Sequence, residues 1–190
     1  MVGAANTGKT CLVQYLTLES PISSSTPSTP TIGCFIDVKR YRSRSGKDVW
    51  IEFLEVGGRG QLNHPKTTRP FYKHFDAILC VFDLTDSSSF HKLDELASIA
   101  LDYRSEEPIW VVGTRSDLVS STGFFSTSAN AGQSYQNHPL YHRLLNMGAQ
   151  FFSLSLLQSP DIHLWNQFYE LLMEKAQRSS KPQQYTLQIY

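Results

Sequence analysis

The sequence has few cysteines and no long uninterrupted hydrophobic run. Its three cysteines, Cys11, Cys34 and Cys80, lie far apart in apolar stretches, without a C-x-x-C pair or a histidine cluster. This spacing excludes a zinc site and a disulfide framework, and it predicts buried thiols in a reducing compartment. No segment has the length of a membrane span, no signal peptide precedes the first motif, and the final residues lack a cysteine for prenylation. We therefore expect a cytoplasmic protein without a lipid anchor.

Neither sign of charge is in excess. The chain has 17 Lys plus Arg and 17 Asp plus Glu residues. A balanced charge provides no global field for attracting nucleic acid or an anionic membrane, so we expect no nucleic-acid partner. The length of 190 residues favours one domain with a sizeable core. We assign that domain to residues 1–178 and a short C-terminal tail to residues 179–190.

The first residues contain a phosphate-binding motif. The run GAANTGKT fits G-x-x-x-x-G-K-[ST], with Gly3, Gly8, Lys9 and Thr10 at the fixed positions. Glycines let backbone N–H groups approach phosphate oxygens, Lys9 would contact the β and γ phosphates, and the Thr10 hydroxyl would bind Mg²⁺. The alternative is a glycine-rich turn before an ordinary helix. The motif predicts a nucleoside triphosphate site formed by Gly3, Ala4, Ala5, Asn6, Thr7, Gly8, Lys9, Thr10 and Cys11.

The strand that normally enters such a loop is short here. Only Met1 and Val2 precede Gly3. Each buried aliphatic side chain contributes about 1.5–3 kcal/mol to stability. A strand that lacks several of them therefore loses a free energy comparable to the whole stability of a domain. We therefore expect the first strand to be largely missing and hypothesise that the sequence begins late in its domain.

Strands and helices alternate along the rest of the chain. The runs CFIDVKRYR and DVWIEFLEV predict an antiparallel hairpin, whereas AILCVFD and PIWVVGT predict parallel strands buried on both faces. The pattern predicts a three-layer α/β fold with a mostly parallel sheet and one antiparallel edge hairpin. Further elements are a helix after the phosphate loop, a linker or switch loop at 21–30, a helix capped by the serines at 87–89, an inserted loop at 119–138, a helix at 139–147 and a strand at 149–157. The final helix is expected to have Ser159 as its N-cap, Pro160 in its first turn and Asp161 as a favourable charge there, with an apolar stripe that begins at Ile162.

The order of these motifs resembles the Ras superfamily of small GTPases, and the Rab group in particular. PTIG (30–33) is similar to the first switch, and EVGG (55–58) stands where the family has D-x-x-G, so the second switch would cover residues 57–72. GTRSD (113–117) stands where the family has N-K-x-D, and SLS (153–155) is similar to its base loop. TIGCFIDVKRY with LEVGG most resembles the divergent Rab-like protein 3 branch, whose members are similarly unprenylated. The resemblance implies a small-GTPase fold that binds GTP or GDP with Mg²⁺, and protein effectors and regulators that recognise the switch regions. It further implies that Thr31 covers the γ-phosphate and completes the Mg²⁺ shell, and that Gly58 contacts the nucleotide.

Residues 114–117 favour guanine over adenine. The carboxylate of Asp117 can accept hydrogen bonds from both N1–H and the exocyclic amine of guanine, and adenine has no such pair of donors. Arg115 would lie along the base plane. Thr114 departs from the family's asparagine and cannot reproduce both of its hydrogen bonds, so guanine preference would be weakened. The alternative for Asp117 is a cap after the strand.

Two further departures concern hydrolysis. Glu55 replaces the aspartate that usually holds Mg²⁺ through water, and its extra methylene predicts looser metal binding. Arg59 follows Gly58, where the family has the glutamine that orients the attacking water. An arginine only donates hydrogen bonds, so slow turnover is predicted, and Arg59 either contributes positive charge to catalysis or points into solvent.

Three functions remain open from the sequence. The first is a Rab-like GTP/GDP switch, the second is a pseudo-GTPase interaction module, and the third is a phosphate-loop kinase for small molecules. The kinase lacks an arginine-rich lid and leaves Asp117 without a purpose. Asp83 is interpreted as a structural cap. His64, His74 and His91 have no partner at helical or hairpin spacing, which argues against a metal or acid/base role for them.

Overall fold

The computed structural model describes residues 1–23, 29–58, 75–101, 108–119 and 137–178. Within these ranges it has five strands and four α-helices. Three strands follow the first helix, strands and helices alternate after them, and a short 3₁₀ turn over Ser116–Leu118 follows the fourth strand. The strands are β1 (Cys34–Arg42), β2 (Asp48–Val56), β3 (Ile78–Asp83), β4 (Ile109–Thr114) and β5 (Gln150–Ser153). The helices are α1 (Lys9–Leu18), α2 (Ser87–Leu101), α3 (Pro139–Asn146) and α4 (Ile162–Arg178).

The strands form two parts, a parallel three-stranded sheet and an antiparallel hairpin. Strands β3, β4 and β5 are parallel neighbours in that order, and β1 pairs with β2 over the whole predicted hairpin. The first two residues connect the two parts: the carbonyl of Met1 accepts a hydrogen bond from Val56, and Val2 forms a parallel bridge to Cys80. The predicted α/β fold, with its hairpin and its short first strand, is confirmed.

Helices cover both faces of the parallel strands. Successive residues of β3 alternate between two cores: Ile78 and Cys80 pack with α2 and α3, whereas Leu79 and Val81 pack with α1 and α4. All six residues of β3 and all six of β4 are buried, as expected for strands covered on both sides. This alternation establishes the predicted three layers, and it fixes the carboxyl ends of β3 and β4 beside the phosphate loop.

Several local expectations were wrong. A carboxylate, not a serine hydroxyl, caps α2, because Asp86 Oδ1 accepts a hydrogen bond from the N–H of Ser88. Likewise, Asp161 Oδ1 accepts from Leu164 at the start of α4, where Ser159 was the expected cap. Strand β5 ends at Ser153, well before residue 157, because the following backbone turns toward the loop after β4. Ile162, expected in the buried stripe of α4, is 53% exposed.

The thiols differ in exposure. Cys80 is buried in β3 and Cys11 is partly buried in α1, but Cys34 is exposed. The expectation of three buried thiols was wrong for Cys34, because it begins β1, whose first three residues are all exposed. No helix in the described part of the chain is both long and apolar enough to cross a membrane.

His91 has a partner that lies 47 residues away in the sequence. Its Nδ1 lies 2.8 Å from Nε2 of His138, which precedes α3 in the chain, and the two ring centroids are 4.4 Å apart. His138 Nδ1 also accepts a hydrogen bond from the N–H of Leu140 and so caps α3. The cap requires an unprotonated Nδ1, which leaves Nε2–H to donate to His91. His64 and His74 lie outside the described residues.

This capping histidine predicts a pH-dependent stability. Burial, and secondarily His91, lowers the pKa of His138, while Asp94 opposes the shift. The unfolded chain then binds a proton near pH 6.5 and the folded chain only at lower pH, so the free energy of unfolding falls as pH falls through that range. Urea unfolding above and below pH 6.5 measures this loss of stability. We expect a smaller loss with falling pH for His138→Asn than for the parent, because asparagine caps the helix without titrating. Equal losses in both proteins would contradict this assignment.

Candidate functional site

The phosphate loop connects Val2 to α1 at the carboxyl end of β3. Gly8 caps the helix with φ 85°, a left-handed conformation that favours glycine. A Cβ atom at Gly3 would overlap the carbonyl oxygen of Val81, so the loop packs directly on the β3 backbone there. The Thr7 hydroxyl donates to the carbonyl of Ala4 at 3.0 Å and braces the turn. Because helix N-termini present free N–H groups, this loop is suited to bind an anion.

Lys9 is buried over the mouth of the loop. Its Nζ donates hydrogen bonds to the carbonyls of Gly3 and Ala4, at 2.9 and 2.8 Å. Burial lowers the pKa of Lys9 to about 8, although the nearby carboxylate of Glu55 opposes the shift. A buried ammonium with neutral carbonyl partners is stabilised by an anion, so the loop is poised for phosphate.

Three oxygen-bearing side chains meet beside Lys9. The hydroxyl of Thr10 lies 2.9 Å from Glu55 Oε1 and 3.1 Å from the hydroxyl of Thr31, which is itself 3.1 Å from Glu55 Oε1. The structure thus brings together the three residues predicted to hold a metal ion. Glu55 is 1% exposed, and its second oxygen, Oε2, has no hydrogen-bond partner among the described residues. An orphaned carboxylate oxygen beside two hydroxyls fits the hard oxygen ligands that Mg²⁺ prefers.

A pocket opens between the loop, the first switch and the end of β2. Gly58 closes one side, and a Cβ atom there would overlap the backbone of Ala5. The N–H of Gly57 donates to the carbonyl of Gly33 at 2.8 Å, which joins the two predicted switch segments. The pocket is lined by Ala5, Asn6, Gly8, Lys9, Thr10, Cys11, Thr29, Pro30, Thr31, Glu55 and Gly58.

The predicted base-recognition residues lie at the end of β4. The Thr114 hydroxyl donates to the carbonyl of Thr7 at 2.8 Å, so a threonine provides a tie between this strand and the phosphate loop. Arg115 forms an ion pair with Asp83, and its Nη2 donates to the carbonyl of Asn6 at 3.1 Å. Asp117 is exposed in the 3₁₀ turn that follows. Its carboxylate is therefore accessible to a ligand.

The loop after β5 completes this corner. The N–H of Leu154 donates to Gly113 at 2.9 Å, and the carbonyl of Leu154 accepts from Ser116 at 3.2 Å. The hydroxyl of Ser155 accepts from the N–H of Leu157, which tightens the turn. These bonds hold the predicted base loop beside Asp117.

Asp83 does more than the sequence suggested. Its Oδ1 accepts from both the N–H and the hydroxyl of Thr85, which is the predicted cap, and its Oδ2 pairs with Arg115. The only sequence signal was its position at the carboxyl end of a buried strand. Arg59, the candidate that follows Gly58 in the sequence, lies outside the described residues. No group of three or more His, Cys, Asp or Glu side chains within the described ranges is arranged to hold a metal ion.

The contribution of the hydrogen bond from Thr114 to Thr7 is testable. We expect Thr114→Val, which keeps the side-chain volume but removes the hydroxyl, to lower the free energy of unfolding by about 1–3 kcal/mol. Thr114→Ser retains the donor and should lose less. Urea unfolding of the three proteins without added nucleotide measures both effects. A valine variant as stable as the parent would show that the bond between Thr114 and Thr7 contributes nothing.

Comparison with known proteins gives a consistent family. A sequence model described as Ras family matches residues 1–170. The chain is 25% identical over 122 residues to the Ras-related protein RabC of Dictyostelium discoideum, covering 63% of this chain and 60% of that protein. It is 25% identical over 123 residues to Ral-a of Drosophila melanogaster, covering 62% and 56%, and 26% identical over 133 residues to RABD2a of Arabidopsis thaliana, covering 69% and 62%. The chain thus matches less than two thirds of the length of these relatives.

Proposed function

This chain belongs to the Ras family of small GTPases, and we propose that it is a Rab-like switch that binds GTP and GDP with Mg²⁺ and hydrolyses GTP slowly. One observation carries the proposal: the hydroxyls of Thr10 and Thr31 and the carboxylate of Glu55 meet at the mouth of the phosphate loop. These residues come from the loop, the first switch and β2. A γ-phosphate and a metal ion at this point would therefore hold all three segments together.

The residues of the loop have separate tasks in this proposal. The N–H groups at the start of α1 and the ammonium of Lys9 bind phosphate oxygens, and Asp117 selects guanine through two hydrogen bonds. Arg115 positions the phosphate loop through the carbonyl of Asn6. Bound Mg²⁺ would neutralise negative charge on the phosphates. Gly58 allows the second switch to approach Ala5 closely.

Partners would recognise the surface that follows Thr31. Ile32 is 94% exposed, and the outer face of the hairpin carries exposed Ile36, Val38 and Trp50. Ile36 and Val38 share this face with Trp50, because Trp50 is paired with Arg40 in the register of the hairpin. Apolar side chains next to a nucleotide-sensing residue support a protein-binding surface for effectors and regulators. Cytoplasmic location and the absence of nucleic-acid partners stay predictions from composition.

Fluorescent GDP and ATP analogues titrated into the full chain with Mg²⁺ test the binding. We expect guanine-selective binding. Asp117→Ala should lower the affinity for the GDP analogue at least about tenfold, because it removes the two hydrogen bonds to guanine and leaves the phosphate contacts in place. Asp48→Ala, on the hairpin, is the matched control and should bind as the parent does. Tight binding of the ATP analogue, unaffected by Asp117→Ala, would point to a phosphate-loop kinase and contradict the proposal.

Single-turnover measurements then test whether GTP hydrolysis is slow. The proposal expects a measurable GTP turnover that is slower than in relatives with glutamine after the D-x-x-G motif, and Arg59→Gln should raise it. Guanine-selective binding with no turnover under any condition would identify the interaction module instead. None of the present observations favours that module.

A further inference from the structure

We propose that Glu55 binds the divalent cation directly, as a third protein oxygen beside Thr10 and Thr31, and not through a water molecule. This inference rests on the proposed nucleotide-binding function. It reverses the expectation from the sequence, in which the longer side chain was predicted to loosen metal binding.

The spacing of the oxygens supports direct binding. The three oxygens form a nearly equilateral triangle with sides of 2.9, 3.1 and 3.1 Å. Adjacent ligands of an octahedral Mg²⁺ with bonds of about 2.1 Å lie about 3 Å apart. The triangle therefore has the dimensions of one face of such an octahedron. An aspartate at this position would be shorter by one carbon–carbon bond of about 1.5 Å, and its oxygen would not complete the triangle without a shift of the backbone.

The burial and charge of Glu55 support the same conclusion. Its side chain is 1% exposed, and Oε2 has no hydrogen-bond partner among the described residues. The nearby ammonium of Lys9 donates its hydrogen bonds to the carbonyls of Gly3 and Ala4 and not to this carboxylate. Within the described part of the chain, only the two threonine hydroxyls donate to Glu55. A buried carboxylate with this little compensation is costly unless a cation binds it.

Direct binding has a consequence for the coordination shell. Three protein oxygens leave three positions for phosphate oxygens and water, one position fewer than when the carboxylate acts through water. An anionic ligand inside the shell strengthens the hold on a hard cation. Glu55 would therefore bind the ion more tightly than an aspartate at the same position, and the ion would have one bound water fewer.

Counting the water ligands of Mn²⁺ tests the proposal. Mn²⁺ replaces Mg²⁺ in the full chain loaded with GDP, and broadening of its electron paramagnetic resonance lines by oxygen-17 water gives the number of bound waters. We expect Glu55→Asp to bind one water more than the parent and to hold Mn²⁺ about 10- to 100-fold more weakly. Glu55→Gln keeps the reach but loses the charge, so it should keep the parent's water count while its Mn²⁺ affinity falls. Glu52→Asp, exposed on the same strand, is the matched control and should change neither quantity.

The alternatives give different results. Equal water counts in the parent and Glu55→Asp, or tighter Mn²⁺ binding by Glu55→Asp, would overturn direct binding and leave the proposed function intact as long as GDP is bound. If neither the parent nor Glu52→Asp retains GDP, the proposed function and this inference fail together. Thermal unfolding of each variant verifies that it is folded. Glu55→Gln still decides the question if Glu55→Asp does not fold, because a water count above that of the parent contradicts the proposal.

Discussion

Replacement of Lys9 with methionine is expected to weaken the binding of GDP and GTP by at least about 100-fold. Methionine keeps the unbranched apolar stem of the buried side chain, is one heavy atom shorter, and removes the ammonium over the loop. Truncating one partner of a buried charge pair costs about 2–5 kcal/mol, and each 1.4 kcal/mol is a factor of ten in affinity. Isothermal titration of the parent and the variant with each nucleotide gives the ratio directly.

Lys47→Met is the matched control for this measurement. Lys47 is exposed between β1 and β2, far along the hairpin from the phosphate loop, so its loss should leave affinity unchanged. Thermal unfolding without nucleotide shows whether Lys9→Met has also lost the fold, since Lys9 ties together the carbonyls of Gly3 and Ala4. A folded Lys9→Met protein with the affinity of the parent would contradict the assignment of this lysine to phosphate binding.

Trp110→Ala is expected to lower the free energy of unfolding by about 3–5 kcal/mol. The indole is 2% exposed in β4 and packs against Phe152 at 4.5 Å and Phe168 at 4.4 Å between ring centroids. Removing it leaves a cavity between the sheet and α4, and the expected loss is a large part of a typical domain stability of about 5–15 kcal/mol. Chemical denaturation without nucleotide measures the change.

Trp110→Phe separates packing from hydrogen bonding. The indole Nε1 has no hydrogen-bond partner among the described residues, so phenylalanine removes no bond there. We expect this variant to lose much less stability than Trp110→Ala, because its ring still packs with Phe152 and Phe168. A loss as large as that of Trp110→Ala would show that the indole contributes through contacts other than ring packing.

Local patterns predicted the elements that form the site. The motif G-x-x-x-x-G-K-[ST] fixes backbone shape and side-chain type over adjacent residues, and the structure indeed has a loop followed by α1 at Lys9. The antiparallel hairpin was predicted with its observed bounds, since two extended runs flank a glycine-bearing turn at Gly46 that joins the strands. Proline at the start of α3 and the buried apolar runs of β3 and β4 were equally informative.

Contacts between distant residues were not predictable in the same way. The bond from Thr114 to Thr7 spans 107 residues, the pair of Arg115 and Asp83 spans 32, and the pair of His91 and His138 spans 47. Periodicity describes neighbours three or four residues apart, so it contains no information on these pairs. Thr10, Thr31 and Glu55 were predicted to share a metal site, but the distances between their oxygens were not, because these distances depend on how the first switch lies over α1. The domain limits and the roles of the site residues stay predictions.

Phosphorus NMR of GDP mixed with the full chain and Mg²⁺ tests the central claim most directly, namely that the phosphates lie against the N–H groups of residues 3–10. The account predicts that the β-phosphorus resonance moves to a new position at one nucleotide per chain and stays there after excess ADP is added. Resonances of GDP that remain at their free positions, with protein and nucleotide both at millimolar concentration, would contradict it.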